Sequence, residues 1–141
     1  MIETRTILVA DDDENDVHLL RSAFAKAGIL DTLTVVRNGQ EIIAYLRGDG
    51  IYSDREKYPW PVLLLLDLQM PGRDGLDVLA WWQKQEPGDP LPIVVFSSSN
   101  RESDIQKAME LGADAYCAKP AGFDYLLRVA HELRDRWLSL P

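Results

Sequence analysis

The sequence predicts an α/β domain: a doubly wound, five-stranded parallel sheet with helices on both faces. Three observations carry this. Short β-branched or leucine-rich runs alternate five times with longer stretches of helical apolar spacing, the pattern of strand–helix units in a parallel sheet. The strand runs are nearly continuous apolar segments instead of alternating with polar residues, which fits burial on both sheet faces. The 141 residues fit one domain. A chain of this length buries roughly 68–70% of its unfolded surface and needs no disulfide or metal staple.

Taken in order, Thr6–Ala10 reads as the first strand, followed by Asp11-Asp12-Asp13. Glu14–Ala27 reads as a helix with Val17, Leu20, Phe24 and Ala27 on one stripe and Gly28 as its stop. Leu33–Val36 is the second strand, and Gln40–Arg47 a helix facing inward through Ile42, Ile43 and Leu46. Gly48–Pro61 is a loop rich in Gly, Pro, Asp and Tyr, and Val62–Leu66 is a fully apolar third strand ending at Asp67. The turn Met70-Pro71-Gly72-Arg73 leads to a third helix with Asp74 as N-cap and Val78, Leu79 and Trp82 on its inner face. Trp81, next to Trp82, reads as a partly covered helix-edge residue, with a contact anchor as the sharper alternative. Pro87–Pro92 is a turn, and Ile93–Phe96 a fourth strand ending at Ser97-Ser98-Ser99. Asp104–Leu111 is a helix carrying Ile105, Ala108 and Met109 inward, capped by Gly112. Ala115–Ala118 is the fifth strand, followed by Lys119-Pro120. The last helix, Phe123 to Leu138, presents Leu126, Leu127, Ala130, Leu133 and Trp137.

Composition narrows the function. A net charge of −8 argues against nucleic acid and against an anionic membrane surface, both held mainly by clustered Lys and Arg. The longest apolar stretch, Trp60–Leu66, is seven residues and contains a proline, whereas a membrane-spanning helix needs about 20. The N-terminus lacks a signal-peptide layout. Cys117 is the single cysteine, which excludes an internal disulfide and a cysteine-rich metal site; a reducing, cytoplasmic location is the expectation.

Ligands of an open parallel sheet bind outside the carboxyl ends of its strands. Strand one brings Asp11, Asp12 and Asp13 there, strand three Asp67, strand four Ser97, Ser98 and Ser99, and strand five Lys119. Any one of these alone reads as a cap, a turn residue or a solvated charge. Asp13 fits the cap role best and stays outside the cluster. The joint occurrence is what points to chemistry. Clustered carboxylates repel one another, and a hard divalent cation such as Mg²⁺ relieves this through oxygen ligands. A carboxylate can also attack phosphorus to give an aspartyl-phosphate. A metal, a lysine and a serine hydroxyl would stabilise the transferred phosphoryl group. The inventory is that of an aspartate phosphorylation site.

The same residues resemble the receiver domain of two-component response regulators, over essentially the whole chain. The matching pieces are Ile7-Leu8-Val9-Ala10-Asp11-Asp12, the run from Leu66 to Gly75, Val95-Phe96-Ser97-Ser98 and the run from Gly112 to Pro120. The 30 residues from Asp67 to Ser97 and the 22 from Ser97 to Lys119 are both usual for that family. The resemblance implies the flavodoxin-like strand order 2-1-3-4-5. It makes Asp67 the phosphoacceptor, and Asp11, Asp12, Asp67 and the backbone carbonyl of Gln69 the Mg²⁺ set. Asp12 is then the direct ligand, with Asp11 acting largely through water. Ser97 becomes the switch hydroxyl, Lys119 the phosphoryl partner with a usually cis bond to Pro120, and Tyr116 the aromatic switch. The long Gly48–Pro61 loop and the tail Trp137-Leu138-Ser139-Leu140-Pro141 are similar to single-domain regulators serving phytochrome-type histidine kinases. Those regulators often dimerise through the last two strands and helices, so a homodimer is one expected assembly.

The expectation is therefore one receiver over residues 1–141 with no effector domain, accepting a phosphoryl group from a sensor histidine kinase. Its output is a partner-binding surface or onward phosphotransfer, and it is not a turnover enzyme. The alternative is a receiver-like binding module indifferent to phosphorylation. A phosphatase of the haloacid-dehalogenase type would want a second Asp where Gln69 stands. Flavin binding would want a hydroxyl-rich phosphate loop in place of Asp11-Asp12-Asp13. On this reading Asp11, Asp12 and Asp67 against Lys119 leave the cluster at −2, which one Mg²⁺ would neutralise.

Overall fold

The computed structural model describes residues 5–70, 74–86 and 88–138. Its five strands are β1 (Thr6–Ala10), β2 (Thr32–Val36), β3 (Leu63–Leu66), β4 (Ile93–Ser97) and β5 (Ala115–Ala118). The five helices are α1 (Glu14–Lys26), α2 (Gly39–Arg47), α3 (Gly75–Gln83), α4 (Glu102–Glu110) and α5 (Phe123–Trp137). The strands form one parallel sheet in the order β2-β1-β3-β4-β5, the expected order.

The alternating directions of strand side chains divide the core in two. Leu8, Ala10, Leu64, Leu66 and Val95 pack with Ile42, Leu46, Val78, Leu79 and Ala108 from α2, α3 and α4. Ile7, Val9, Leu63, Leu65, Val94 and Phe96 pack with Leu20, Phe24, Leu126, Val129 and Leu133 from α1 and α5. Every residue of β1, β3 and β4 is buried, as the uninterrupted apolar runs require.

Local signals set the helix ends. The Asp13 carboxylate accepts from the backbone N–H groups of Asn15 and Asp16, capping α1 as expected. Asp74 and Asp77 form a reciprocal capping box on α3. Gly28 and Gly112 take φ of +79° and +99°, the left-handed turns expected after α1 and α4.

Some expectations are revised. Helix α4 begins two residues before Asp104, whose carboxylate accepts from the Ser99 hydroxyl at 2.6 Å. Only Ala108 of α4 is buried; Ile105 is half-buried and Met109, expected inward, is 43% exposed. Trp81 and Trp82 are both half-buried against the core, so Trp81 is the covered edge residue. The Lys119–Pro120 bond is trans, the lower-energy isomer even before proline. The Met70–Arg73 turn, Pro87 and the Ser139–Pro141 tail fall partly or wholly outside the described residues.

The Gly48–Pro61 segment is not a loose loop. It contains a 3₁₀ turn, Gly50–Ser53, and folds over Tyr45, which is fully buried. The rings of Tyr52 and Tyr58 stand 5.0 and 6.0 Å from that of Tyr45, and Arg55 stacks over it while donating to the carbonyls of Leu46 and Tyr58. Tyr45 donates to the Pro59 carbonyl at 2.7 Å, and burial pushes its phenol up to about 12. Trp60 donates to the Pro90 carbonyl. These contacts precede β3 and β4, at the sheet edge opposite the strands' carboxyl ends.

Two predictions follow from packing. Tyr45→Phe removes the hydroxyl held by Pro59 and should lower unfolding free energy by about 1 kcal/mol, read from urea denaturation. A Cβ on Gly75 would lie 2.6 Å from the Asp67 carbonyl oxygen and 2.8 Å from Leu68 Cα. Gly75→Ala should therefore destabilise by about 1–3 kcal/mol despite alanine's better helix propensity, and a thermal melt at or above wild type would contradict this.

Candidate functional site

The carboxyl ends of β1 and β3 are adjacent because those strands pair directly, with Ala10 opposite Leu66. Asp11 and Asp67 therefore emerge side by side. Their backbones stay in the ladder: Asp11 N–H donates to Val36 and Asp67 N–H to Ala10. Both residues are 5% exposed, whereas Asp12 is exposed. Each of the three offers an oxygen, and these oxygens lie within 4.8 Å of one another. Three carboxylates at that separation suit a hard divalent cation, so the donor set fits the metal that the sequence suggested.

Lys119 reaches this pair from the end of β5. Its backbone N–H donates to the Ser97 carbonyl at 2.8 Å. The ammonium then extends past the end of β4 to Asp11 at 2.8 Å and Asp67 at 2.9 Å. It also meets Asp16 of α1 at 2.9 Å, a residue the sequence reading passed over. The signal was present but weak: Asp16 lies in the first turn of a helix that starts at the same rim, where acidic residues are common for the helix dipole alone. Four carboxylates against one ammonium leave the cluster at −3, not −2.

The electrostatics follow from burial and pairing. Burial raises the Asp11 pKa, and the contacts of Asp11 with Lys119 and the Asp13 N–H only partly offset it. Burial acts to lower the Lys119 pKa, but its bonds to Asp11, Asp16 and Asp67 outweigh this and hold it well above the usual lysine range. The Asp67 carboxylate also accepts from the Gln69 N–H at 3.1 Å.

The remaining predicted residues lie along β4 and β5. Ser97 is fully buried, and its hydroxyl oxygen accepts from the Ser99 N–H. Ser98 is exposed and donates to the Gln69 side-chain oxygen at 3.2 Å across the rim. Half-buried Tyr116 donates its hydroxyl to the Ser99 carbonyl at 2.7 Å. Ser99 thus links the Tyr116 ring to Asp104 of α4. Asp13 stays outside the cluster as the α1 cap.

Removing Lys119 strands two nearly buried carboxylates. Lys119→Met should cost roughly 3 kcal/mol at neutral pH without metal. The loss should shrink in acid, where the stranded carboxylates take up protons, and on adding Mg²⁺. In the wild type the raised Lys119 pKa adds stability that is full below the ordinary value of 10.5 and is lost as pH climbs beyond it. Lys119→Met should lack that alkaline loss in denaturation series across pH.

The response regulator receiver domain model matches residues 7–131. Response regulator Rcp1 of Synechocystis sp. is 30% identical over 135 residues, covering 96% of this chain and 90% of its own. The crystal structure of the phosphorylated cyanobacterial phytochrome response regulator RcpA superposes with a TM-score of 0.87 at 32% identity, covering 97% of this chain and 96% of the other. The Mn²⁺-bound form of response regulator Rcp1 gives 0.83 at 30% identity, covering 97% and 99%. With its sheet order, strand-end carboxylates and lysine in place, the chain belongs to the response regulator receiver domain family and is homologous to the phytochrome response regulators.

Proposed function

We propose that this protein is a phosphorylation-dependent signalling switch, with Asp67 accepting a phosphoryl group from a phosphohistidine of a phytochrome-type sensor histidine kinase. The observation that carries the reading is the Asp67 carboxylate. It is nearly buried beside Asp11, 2.9 Å from the Lys119 ammonium, and within 4.8 Å of the Asp11 and Asp12 oxygens. The likeness to a regulator crystallised in phosphorylated form and to one crystallised with Mn²⁺ supports it.

In the transfer, an Asp67 carboxylate oxygen forms a bond to phosphorus as the donor's P–N bond breaks, with the electron pair leaving on the imidazole nitrogen. Asp11, Asp12, Asp67 and the Gln69 backbone carbonyl would hold Mg²⁺. That cation, when bound, supplies positive charge to the phosphoryl oxygens. Lys119 sits against Asp67 and would pair with a phosphoryl oxygen. It is cationic throughout the physiological range, since its pKa is raised.

Ser97 and Tyr116 then read out the change. The Ser97 hydroxyl stands at the end of β4, next in the sheet to β3, and is bonded to the N–H of Ser99. Drawing that hydroxyl toward a phosphoryl group would disturb Ser99, whose carbonyl holds Tyr116 and whose hydroxyl holds Asp104. The β4–α4 segment is the two-state element, and its surface is the output, for a protein partner or onward phosphotransfer. The domain accepts a group and relays it; it does not turn over a substrate.

Incubation with Mg²⁺ and a small acyl phosphate, followed by intact-mass analysis, tests the reading. The wild type should gain one phosphoryl group and Asp67→Asn none. No gain in the wild type, or equal gain in the variant, would sink it.

A further inference from the structure

The ammonium of Lys119 has three N–H groups and no acceptor capacity. Three carboxylate oxygens, from Asp11, Asp16 and Asp67, already stand within 2.9 Å of it. Asp11 and Asp67 belong to the cluster of oxygens suited to a cation, and Asp16 does not. Of the three carboxylates bonded to Lys119, Asp16 is thus the one outside that cluster. We propose that Asp16 is a positioning residue that draws Lys119 toward α1 and keeps the site one negative charge richer, strengthening cation binding and holding back phosphorylation of Asp67. The inference rests on the proposed function, and it adds a residue of α1 to a site otherwise built from strand ends.

The placement of Asp16 comes from the helix start. Its backbone N–H donates to the Asp13 carboxylate at 3.1 Å, so the cap that begins α1 also directs the first turn over the rim. The Asp16 side chain is 35% exposed and that of Lys119 12%, so the pair lies partly open to solvent, where charge is screened but not silenced. With Asp16 present, a divalent cation meets a cluster at −3 and leaves it at −1. An arriving phosphoryl group, itself an anion, then meets a net negative site and a lysine shared with another carboxylate. Without the Asp16 charge, the cation meets less attraction, and the phosphoryl group meets a neutral site and a less encumbered lysine. The two consequences have opposite signs.

That opposition is the test. Asp16→Asn keeps the size and an acceptor oxygen but removes the charge. Two quantities are measured: the Mg²⁺ dissociation constant of the unphosphorylated protein by calorimetry, and the initial rate of mass gain from a small acyl phosphate at saturating Mg²⁺. In Asp16→Asn the dissociation constant should rise about threefold or more and the rate should rise by a similar factor. Glu14→Gln serves as control. Glu14 lies in the same helical turn, but pairs with exposed Arg37 at 2.8 Å; neither quantity should move by more than about twofold. Loss of labelling together with weaker Mg²⁺ binding would mean that Asp16 merely supports the lysine, and would overturn the proposal. So would unchanged values, or the same response in Glu14→Gln. A wild type that takes no label defeats the proposed function and the phosphoryl half of the inference, while the Mg²⁺ arm still decides whether Asp16 sets the charge of the site.

Discussion

The ion cluster around Lys119 is the interaction on which the rest of the molecule depends. A sheet in the order β2-β1-β3-β4-β5 makes β1 and β3 neighbours, and the polypeptide direction brings both carboxyl ends to one rim. Two aspartates placed there, each 5% exposed, are mutually repelled and poorly hydrated. A cation must accompany them, and Lys119, delivered from β5 across the end of β4, supplies one. Strand order, the burial of Asp11 and Asp67, and the reach of a long side chain are one arrangement.

The two edges of the sheet are built on different physics. The edge before β3 and β4 is closed by tyrosine and tryptophan rings, a stacked guanidinium and hydrogen bonds to backbone carbonyls. Its contacts are ring packing, one cation–π contact and hydrogen bonds to backbone carbonyls, with no carboxylate cluster among them. The opposite edge holds charges that attract or repel according to what arrives. Beyond β4, the chain is tied by single hydrogen bonds through Ser99, and α4 buries only Ala108. A segment with few buried contacts opens at low cost, and this segment borders the charged rim.

Much of this was legible in the residues. Uninterrupted runs such as Leu63–Leu66 read as strands covered on both faces because no polar residue interrupts them. Asp13 read as a cap because its type and its place before Glu14 suit no other role so well, and it caps. The start of α4 moved from Asp104 to Glu102, and the Asp104 carboxylate in its first turn accepts from Ser99, a partner that only the folded loop offers. Tyr45 lies in a helix whose apolar stripe was visible. Its full burial depends on Tyr52, Tyr58 and Arg55 returning from a segment that, by composition alone, is an ordinary polar loop.

The sequence by itself determined the alternation of strands and helices, the apolar faces, the caps, and the identity of the polar groups that end each strand, because these rest on the residue and its near neighbours in the chain. The tertiary structure alone decided which helices share a face of the sheet, that Gly75 must lie against the Asp67 carbonyl, and that Asp16, 103 residues from Lys119, completes its shell of carboxylates. Those facts depend on distances across the sheet and between its layers. A carboxylate one turn into a helix looks like dipole compensation until the helix is laid over the rim and a lysine from the far strand is found beneath it.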